Sequence, residues 1–331
     1  MSEYLWDGTG EPDPEIVRLE AALRPLRRLP PVPDLEAGAP RGRIEWAALA
    51  AAAAVVLALL PLATRTGPPG AAATWQVEWL QAQGTPGRGG RLAAGEWIDT
   101  RDARARVEVG RIGQVVLEPS TRVGLLDAGR RAHRLSLARG TLHAMIWARP
   151  GEFVVDTPAA RAVDLGCEYT LTVAADGTGL LRVETGWVGF EHHGLQSLVP
   201  AGALCRTYGG RGPGTPRFET STAGFADALD VLDSGFSGSQ AVAALSRVVA
   251  ESGPRDALSL WHLLSRVDPP ARGCLFDRLA ALVPPPDGVT RAGVVNGDAA
   301  MLDSWWDELG FGSAEFWREW TRRWNDVNAA P

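Results

Sequence analysis

Residues 163–190, VDLGCEYTLTVAADGTGLLRVETGWVGF, decide the fold of this chain. Within them, residues 168–174 and 179–185 alternate apolar side chains with polar or small ones, which is the period of a strand with one buried face. Ala175-Asp176-Gly177 separates these two segments, and Asp and Gly favour the tight turn of a hairpin. The stretch therefore predicts consecutive antiparallel strands.

Similar segments extend from this stretch in both directions. Between about residues 75 and 204, short alternating segments are separated by Gly, Asp and Pro. Short strands with regular turn signals are typical of an all-β sandwich or a solenoid-like stack. The sequence predicts strands at WQVEWL, ARVEVG, GQVVLE, TRVGLL, HRLSL, TLHAMIW, EFVVDT, ARAVDLG, EYTLTVA, GLLRVET, GWVGFEHH and QSLVPAG.

The apolar period changes after a Gly/Pro-rich stretch at residues 209–216, which is predicted to be a linker. We expect helices near residues 239–251, 254–267, 271–283, 297–309 and 312–325. Three tryptophans on one face of the last helix are expected to form a core, and a membrane-interface belt is the alternative. They are Trp317, Trp320 and Trp324.

An uncharged apolar run, WAALAAAAAVVLALLPLA at residues 46–63, precedes the β region. Its length is near the minimum for a helix crossing a hydrocarbon layer about 30 Å thick. More arginines precede the run than follow it, so the positive-inside rule predicts a cytoplasmic N-terminus and a periplasmic C-terminus. A buried Ala-rich helix of a soluble protein is the alternative. The predicted fold class is thus mainly β, with one transmembrane helix and a C-terminal all-α domain, in a single-pass protein of the inner (cytoplasmic) membrane.

Residues 1–43 contain one predicted amphipathic helix. Asp13 can cap this helix, and Pro14 suits its first position. Ile16, Leu19, Leu23 and Leu26 recur at spacings of three and four, which gives the helix one apolar face. A single short helix cannot bury such a face alone, so we expect it to contact a partner or the membrane surface.

The composition excludes some classes of function. A net charge of -6 argues against direct nucleic-acid binding, which usually needs a basic face. Cys167, Cys205 and Cys274 do not have the spacing of a metal site. A disulfide between Cys167 and Cys205 is conceivable outside the membrane, although two unpaired thiols are favoured.

Five short motifs follow one another in the β region: LSLARG at 135–140, FVVDT at 153–157, VDLGCEYT at 163–170, VETGWV at 183–188 and LVPAG at 198–202. In this order they resemble the steps of the FecR family, the extracytoplasmic module of bacterial cell-surface signalling. The resemblance covers roughly residues 95–207, with Cys167 and Tyr169 standing where the family usually has Thr and Phe. Its motif positions are Gly140, Phe153, Thr157, Leu165, Gly166, Tyr169, Gly186 and Gly202.

The resemblance implies a membrane-tethered regulator whose outer domain senses a signal and whose inner segment acts on an extracytoplasmic-function (ECF) sigma factor. Residues 4–27, YLWDGTGEPDPEIVRLEAALRPLR, are similar to the loop and helix of zinc-type anti-sigma domains, but without their His and Cys ligands. We therefore expect no zinc and no cofactor. An outer-membrane or periplasmic protein is a further candidate partner. The residues expected to contact the sigma factor are Tyr4, Leu5, Trp6, Ile16, Leu19, Leu23 and Leu26.

Motifs of catalysis are missing from the sequence. It contains no G-x-S-x-G elbow, P-loop or H-E-x-x-H. His192 and His193 end a predicted strand, where neighbouring side chains point to opposite faces, so we do not expect them to share a metal ion. Residues 87–90 are predicted to be a loop without a following helix, and His262 to be a hydrogen-bonded histidine in an apolar helix. We expect a protein that is not an enzyme.

The predicted organisation has five parts. Residues 1–43 form the cytoplasmic segment, 44–63 the transmembrane helix, 64–94 a linker and first strand, 95–208 the FecR-like β domain and 217–331 the helical domain. The predicted function is that of a membrane-anchored regulator that passes an extracytoplasmic signal to an ECF sigma factor by protein–protein contact. The alternative is a non-signalling envelope scaffold or ligand-binding protein that uses the same fold.

Overall fold

One long strand, β7 (His133–Ile146), belongs to both layers of the β region. The computed structural model describes residues 74–80, 86–129 and 132–312, which all lie in the unit Gly70–Pro331. The first half of β7 pairs with strands of one layer and its second half with strands of the other. We call the layer that contains the second half sheet A and the other layer sheet B.

Sheet A has nine strands besides the second half of β7. They are β1 (Thr74–Leu80), β2 (Pro86–Ala93), β4 (Arg104–Val109), β5 (Gly113–Leu117), β10 (Glu168–Val173), β11 (Gly179–Thr185), β14 (Ala203–Tyr208), β15 (Gly212–Pro213) and β16 (Arg217–Phe218). Their order is β2-β1-β4-β5-β7-β10-β11-β14, and β15 and β16 both pair with β14. All of these pairs are antiparallel.

Sheet B has six strands besides the first half of β7. They are β3 (Trp97–Asp99), β6 (Arg122–Ala128), β8 (Phe153–Asp156), β9 (Arg161–Asp164), β12 (Trp187–His192) and β13 (Leu195–Pro200). Their order is β3-β6-β7-β8-β9-β12-β13. The pair formed by β7 and β8 is parallel, and the other pairs are antiparallel.

Alternation along the strands places one face of each sheet in the core. In β10, Tyr169, Leu171 and Val173 are buried while the residues between them are partly exposed. Strand β7 passes from sheet B to sheet A at Gly140, which has φ +94°. A Cβ atom there would lie 2.4 Å from the Cα of Thr121, so this crossing needs glycine.

Six helices follow the strands in the described part of the chain. Thr222 caps the first helix by accepting a hydrogen bond from the Phe225 amide at 3.1 Å, and Asp298 caps the sixth in the same way. Leucines such as Leu258 and Leu275, together with the fully buried Trp305, form the core between the helices. The helices are α1 (Ala223–Asp233), α2 (Ser239–Glu251), α3 (Ala257–Leu264), α4 (Pro269–Leu282), α5 (Arg291–Val295) and α6 (Ala299–Trp306), with 3₁₀ turns at Pro254–Asp256 and Asp307–Leu309.

The prediction of a mainly β region followed by helices is confirmed, with differences in detail. The segments HRLSL and TLHAMIW form the single strand β7, because Gly140 continues the chain from one sheet to the other. Residues 87–90, predicted to be a loop, belong to the edge strand β2. Helices α1 and α5 were not predicted. The helix expected at 312–325 and its tryptophans at 317, 320 and 324 lie outside the described residues, apart from residue 312.

The stretch at 209–216, predicted to be a linker, is partly built into the fold. Gly212–Pro213 forms β15, and residues 212–216 are buried. The side-chain hydroxyl and the amide of Thr215 both donate hydrogen bonds to Asp233 in α1, so this stretch is attached to the helices as well as to the sheet. The domain boundaries themselves stay predictions.

The predicted fold class needs a correction at the transmembrane helix. Among the described residues, no helix is long and apolar enough to cross a membrane. The longest of these, α4, has 14 residues, whereas a membrane span needs about 20. Residues 44–63 lie outside the described part, so the structure gives no support to a transmembrane helix. The single-pass inner-membrane localisation depended on that helix, and both predictions are withdrawn.

Candidate functional site

The outer face of sheet A carries a row of polar side chains from neighbouring strands. His143 in β7 lies at the centre, with its Nε2 3.1 Å from Glu118 Oε1 and its Nδ1 2.9 Å from Thr170 Oγ1. Thr170 donates to Glu184 at 2.9 Å, and Arg104 forms an ion pair with Glu118. Cross-strand pairs of this kind stabilise a solvent-facing sheet modestly. This face therefore presents a broad, mostly polar surface.

A small hollow of about 120 Å³ interrupts this surface between β5, β7 and β10. Its lining includes the partly exposed Val116 and Met145 and the acidic Glu168. Gln114 lies across from Met145, with Nε2 3.9 Å from the Met145 sulfur. The hollow has room for one side chain of moderate size rather than for a cofactor.

Two larger cavities lie elsewhere on the β region. One of about 480 Å³ lies over β2, where Gly89 and Gly90 leave open space and Arg106 pairs with Glu78 at 3.0 Å. The other, of about 310 Å³, lies beside Asp156 and the two histidines at the end of β12. Both are open grooves with polar linings, unlike the mostly apolar pockets of small-molecule sites.

The His192–His193 pair differs from its predicted arrangement. The two ring centroids lie 4.2 Å apart with an interplanar angle of 68°, although side chains on opposite faces were expected. His193 follows the last residue of β12 and has φ +48°, so the strand alternation has already ended there. Burial, and then the neighbouring His193, lower the pKa of His192. Among the described residues, no group of three or more His, Cys, Asp or Glu side chains could hold a metal ion.

The glycines of the FecR-like motifs lie at positive φ. Gly186 has φ +71°, and a Cβ atom there would lie 2.2 Å from the Gly166 carbonyl oxygen. Gly166, Gly140 and Gly202 have φ of +88°, +94° and +77°. These residues therefore shape turns and a strand crossing, and none of them offers a reacting group.

The other motif residues are structural too. Phe153, Leu165 and Tyr169 are buried in the core. Thr157 closes the turn between β8 and β9, since its hydroxyl donates to the Ala160 carbonyl at 2.7 Å and accepts from the Ala160 amide at 3.0 Å. The motif positions are thus spread over turns and core and do not meet in one cavity.

One buried cluster contains titratable groups. Asp164 accepts hydrogen bonds from the Gly166 amide at 2.7 Å and the Cys167 thiol at 2.6 Å. Burial raises the pKa of Asp164 to about 7, while these hydrogen bonds oppose the rise. Burial and the Asp164 charge raise the pKa of Cys167, so its thiol stays protonated and is a poor nucleophile. The Tyr169 hydroxyl beside them has no hydrogen-bond partner in the described part.

The thiol of Cys167 has a structural role. It donates a hydrogen bond to Asp164, three residues earlier in the chain. Cys167 and Cys205 are both free and buried, and Cys274 is free and exposed. The thiols are therefore unpaired, and Cys167 acts as a hydrogen-bond donor that fixes a turn.

A buried polar seam joins the helices to β13, and sequence reasoning missed most of it. His262, expected to be hydrogen-bonded, donates from Nδ1 to the Leu258 carbonyl and accepts at Nε2 from the Leu198 amide at 3.1 Å. Arg266 lies one helical turn later and donates to the Gln196 carbonyl at 2.8 Å. Leu198 and Gln196 are two residues apart, so both groups point to the same edge of β13. The helical part thus satisfies a strand edge that would otherwise be open.

The seam contains three buried titratable side chains, Arg266, Asp233 and His262. Arg266 also donates to the Pro213 carbonyl at 3.0 Å, and burial lowers its pKa while the Asp233 carboxylate opposes that fall. Burial raises the pKa of Asp233, although the Arg266 guanidinium works against that rise. Burial lowers the pKa of His262 to about 3, so this ring is neutral at physiological pH. The spacing of four residues between His262 and Arg266 indicates that both lie on one face of the chain there, but it does not indicate their partners on β13.

The residues predicted to contact a sigma factor, Tyr4, Leu5, Trp6, Ile16, Leu19, Leu23 and Leu26, all lie outside the described residues. Their role stays a prediction from the sequence.

Comparison with known proteins gives little beyond the fold. No protein-family model matches the chain, and no curated protein matches it. It is similar to two crystal structures, at 1.65 and 2.50 Å resolution, of a "putative anti-sigma factor" from Parabacteroides distasonis ATCC 8503. The first is 16% identical with a TM-score of 0.29, covering 41% of this chain and 61% of that one. The second is 15% identical with a TM-score of 0.26, covering 47% and 72%.

The chain therefore spans about three fifths of the first of these structures. The similarity covers less than half of this chain in both cases. Membership of the FecR family is not shown, and the resemblance stays a prediction.

Proposed function

We propose that this chain is a regulator that acts by binding other proteins and that it controls an ECF sigma factor through residues 1–43. The observation that carries the proposal is the order of the five FecR-like motifs along β7 to β13. Each motif falls at a turn, a strand crossing or a core position, as expected of motifs that maintain a fold. In this proposal the β region is a platform for a partner and performs no catalysis.

The proposal also uses the apolar stripe of the N-terminal segment. Four aliphatic residues at helical spacing, together with Tyr4, Leu5 and Trp6, are more apolar surface than a short segment can bury by itself. Helices of this kind commonly bind in a hydrophobic groove of a partner protein. A sigma factor is the partner that the resemblance implies.

Co-purification of the tagged full chain with the host's ECF sigma factors tests this proposal. The double variant Leu19→Asp/Leu23→Asp should reduce capture at least tenfold, because two charges would have to enter the groove. The matched control is Val17→Asp/Ala21→Asp, which adds the same two negative charges to the opposite face of the predicted helix and should retain capture.

Equal capture by the two double variants would contradict docking through the apolar stripe. If the wild-type chain captures no sigma factor, the regulatory proposal itself fails.

A further inference from the structure

Five aromatic side chains form a cluster that we call the aromatic junction. The indole of Trp306, the last residue of α6, lies at its centre. Its ring centroid is 4.7 Å from that of Trp261 in α3, 5.7 Å from that of Phe311 and 6.1 Å from that of Trp187 in β12. Phe311 in turn lies 5.9 Å from Phe218 in β16. Because tilted aromatic pairs at these distances are favourable, the junction fixes α3 and α6 against a strand of each sheet.

The junction is closed at its centre and partly open at its rim. Trp306 is 2% exposed, whereas Trp187, Trp261 and Phe311 are each partly exposed. The indole N–H of Trp261 donates to the Leu302 carbonyl at 2.8 Å, so this ring is held in one orientation. The rim therefore offers a fixed aromatic surface on which further apolar side chains can pack.

The described part of the chain ends within this junction. Gly310 has φ +74°, the left-handed conformation that commonly ends a helix. Phe311 then packs back on Trp306, and a hydrophobic contact of this kind often accompanies such a helix end. Gly312 also has a positive φ, +102°. The residues that follow position 312 therefore start next to the partly open rings.

The sequence after Gly312 carries the side chains that suit this surface. Trp317, Trp320 and Trp324 recur at spacings of three and four, which places them on one face of the predicted helix. That helix would be about 20 Å long, with about 10 Å along its axis between Trp317 and Trp324. This is enough to cross a cluster whose neighbouring rings lie 4.7 to 6.1 Å apart. A helix of this length is marginal in water by itself, so its apolar face needs a surface to cover it.

The point of attachment decides between the possible surfaces. A segment that starts at the junction meets it as an intramolecular partner, with an effective concentration on the order of millimolar for a short connection. A second copy of the chain or a membrane has to compete with that local surface. The junction of the same chain is therefore the favoured contact.

We propose that residues 313–325 fold back onto the aromatic junction and cover its rim with their tryptophan face. The segment buries the open surfaces of Trp187, Trp261 and Phe311, and its charged face points to solvent. The helical part then closes over β12 with a helix that is supplied by the C-terminal end of this sequence. This docking does not involve residues 1–43, so it stands whether or not the N-terminal segment binds a sigma factor.

Hydrogen–deuterium exchange of the full chain, read by mass spectrometry, tests the docking. Amides of residues 313–325 should exchange more slowly than those of an unstructured chain of the same sequence, by about tenfold or more. The protection should be the same at low and high protein concentration, because the contact is intramolecular. It should also be present without lipid.

Two double variants examine the face of the segment that docks. Trp317→Ala/Trp324→Ala should lower the protection of residues 313–325 about tenfold or more, because two indoles lose their contact with the junction. The matched control is Glu319→Ala/Arg322→Ala, which changes the opposite face of the predicted helix and leaves the net charge unchanged. It should keep the protection within about twofold of the wild type.

A substitution in the junction assigns the protection to this surface. Trp187→Ala should lower the protection of residues 313–325 about tenfold. Trp97→Ala is the control, because Trp97 is an exposed tryptophan of sheet B that lies five strands away from β12. It should leave the protection unchanged. Unchanged exchange of the β10 amides in the Trp187→Ala chain would show that the fold itself persists.

Several outcomes would overturn the proposal. Exchange of residues 313–325 at the rate of an unstructured chain would show that the segment does not dock. Protection that appears only at high protein concentration would make a second copy the occupant. Protection that appears only with vesicles of phosphatidylcholine and phosphatidylglycerol would make it a membrane surface. Equal protection in the two double variants, or in the Trp187→Ala and Trp97→Ala chains, would show that the tryptophan face does not pack on the junction.

Discussion

The β region and the helical region are held together by different kinds of contact. In the β region, backbone pairing satisfies the polar groups and aliphatic side chains such as Leu137 and Leu171 fill the core. In the helical region, leucines and a few aromatic residues such as Trp305 form the core, and buried polar side chains join it to β13 and β15. The sheets therefore depend mainly on strand pairing, while the helices depend on a few specific side chains at the seam.

Removing Arg266 should have the largest effect and should damage the helical region first. Arg266→Ala leaves the Gln196 and Pro213 carbonyls without their Arg266 donor and removes the buried positive charge that favours ionised Asp233, which should cost about 4 kcal/mol of unfolding free energy. Urea unfolding followed by circular dichroism at helix and sheet wavelengths measures both the loss and its location. The control is Arg291→Ala, which breaks the exposed ion pair with Asp277 and should cost about 0.5 kcal/mol or less. Similar losses in the two variants would refute a special role for the seam.

A substitution at Gly186 tests the stability of the β region. Gly186→Ala should cost about 3 kcal/mol, since it combines a strained φ with a clash against the Gly166 carbonyl. Gly194→Ala is the control, because Gly194 also has a positive φ, +82°, but has open space around it. Its substitution should lower the unfolding free energy by about 1 kcal/mol. Thermal unfolding of both variants provides the measurement, with the loss expected in the sheet signal. If the two substitutions lower the unfolding free energy equally, the close approach of Gly186 to the Gly166 carbonyl contributes nothing to stability.

The smallest expected effect is a pH dependence of the unfolding free energy, caused by Asp164 in the β region. Burial raises the pKa of Asp164 from its ordinary value of 3.8 to about 7. The folded state therefore holds this proton more tightly than the unfolded state, so the stabilisation is complete below about pH 4 and is lost as the pH rises through about 7. Between pH 5 and pH 7, the stability of the wild type relative to Asp164→Asn should fall by about 2 kcal/mol. Parallel stability curves for the two chains would show that the carboxyl does not titrate in this range.

The strands of the β region are easier to predict from the sequence than the contacts of the helical region. The reason is that strand signals are local, whereas those contacts join residues far apart in the sequence. Period-two alternation and turn residues such as Asp176 and Gly177 are local, so most strands of the β region were predicted. Strand β2 was missed because its glycines, including Gly89 and Gly90, carry no side chains to alternate. The continuity of β7 was missed because a glycine within a strand usually signals a break.

The seam could not be predicted from local pattern. His262 and Leu198 are 64 residues apart, and Arg266 and Gln196 are 70 apart, so nothing near either partner indicates the pairing. The exposure of Trp147, which directly follows β7, could not be predicted from local pattern either.

The sharing of β7 between the two sheets has a consequence for cooperativity. This strand is the direct neighbour of β5 and β10 in one layer and of β6 and β8 in the other. During synthesis, neither layer can close until β7 has left the ribosome, because the strands that follow it in both layers join the sheets through it or beyond it. An opening that frees β7 would dissolve both layers together. The β region is therefore expected to exchange its core amides as one unit, with no state in which a single sheet survives.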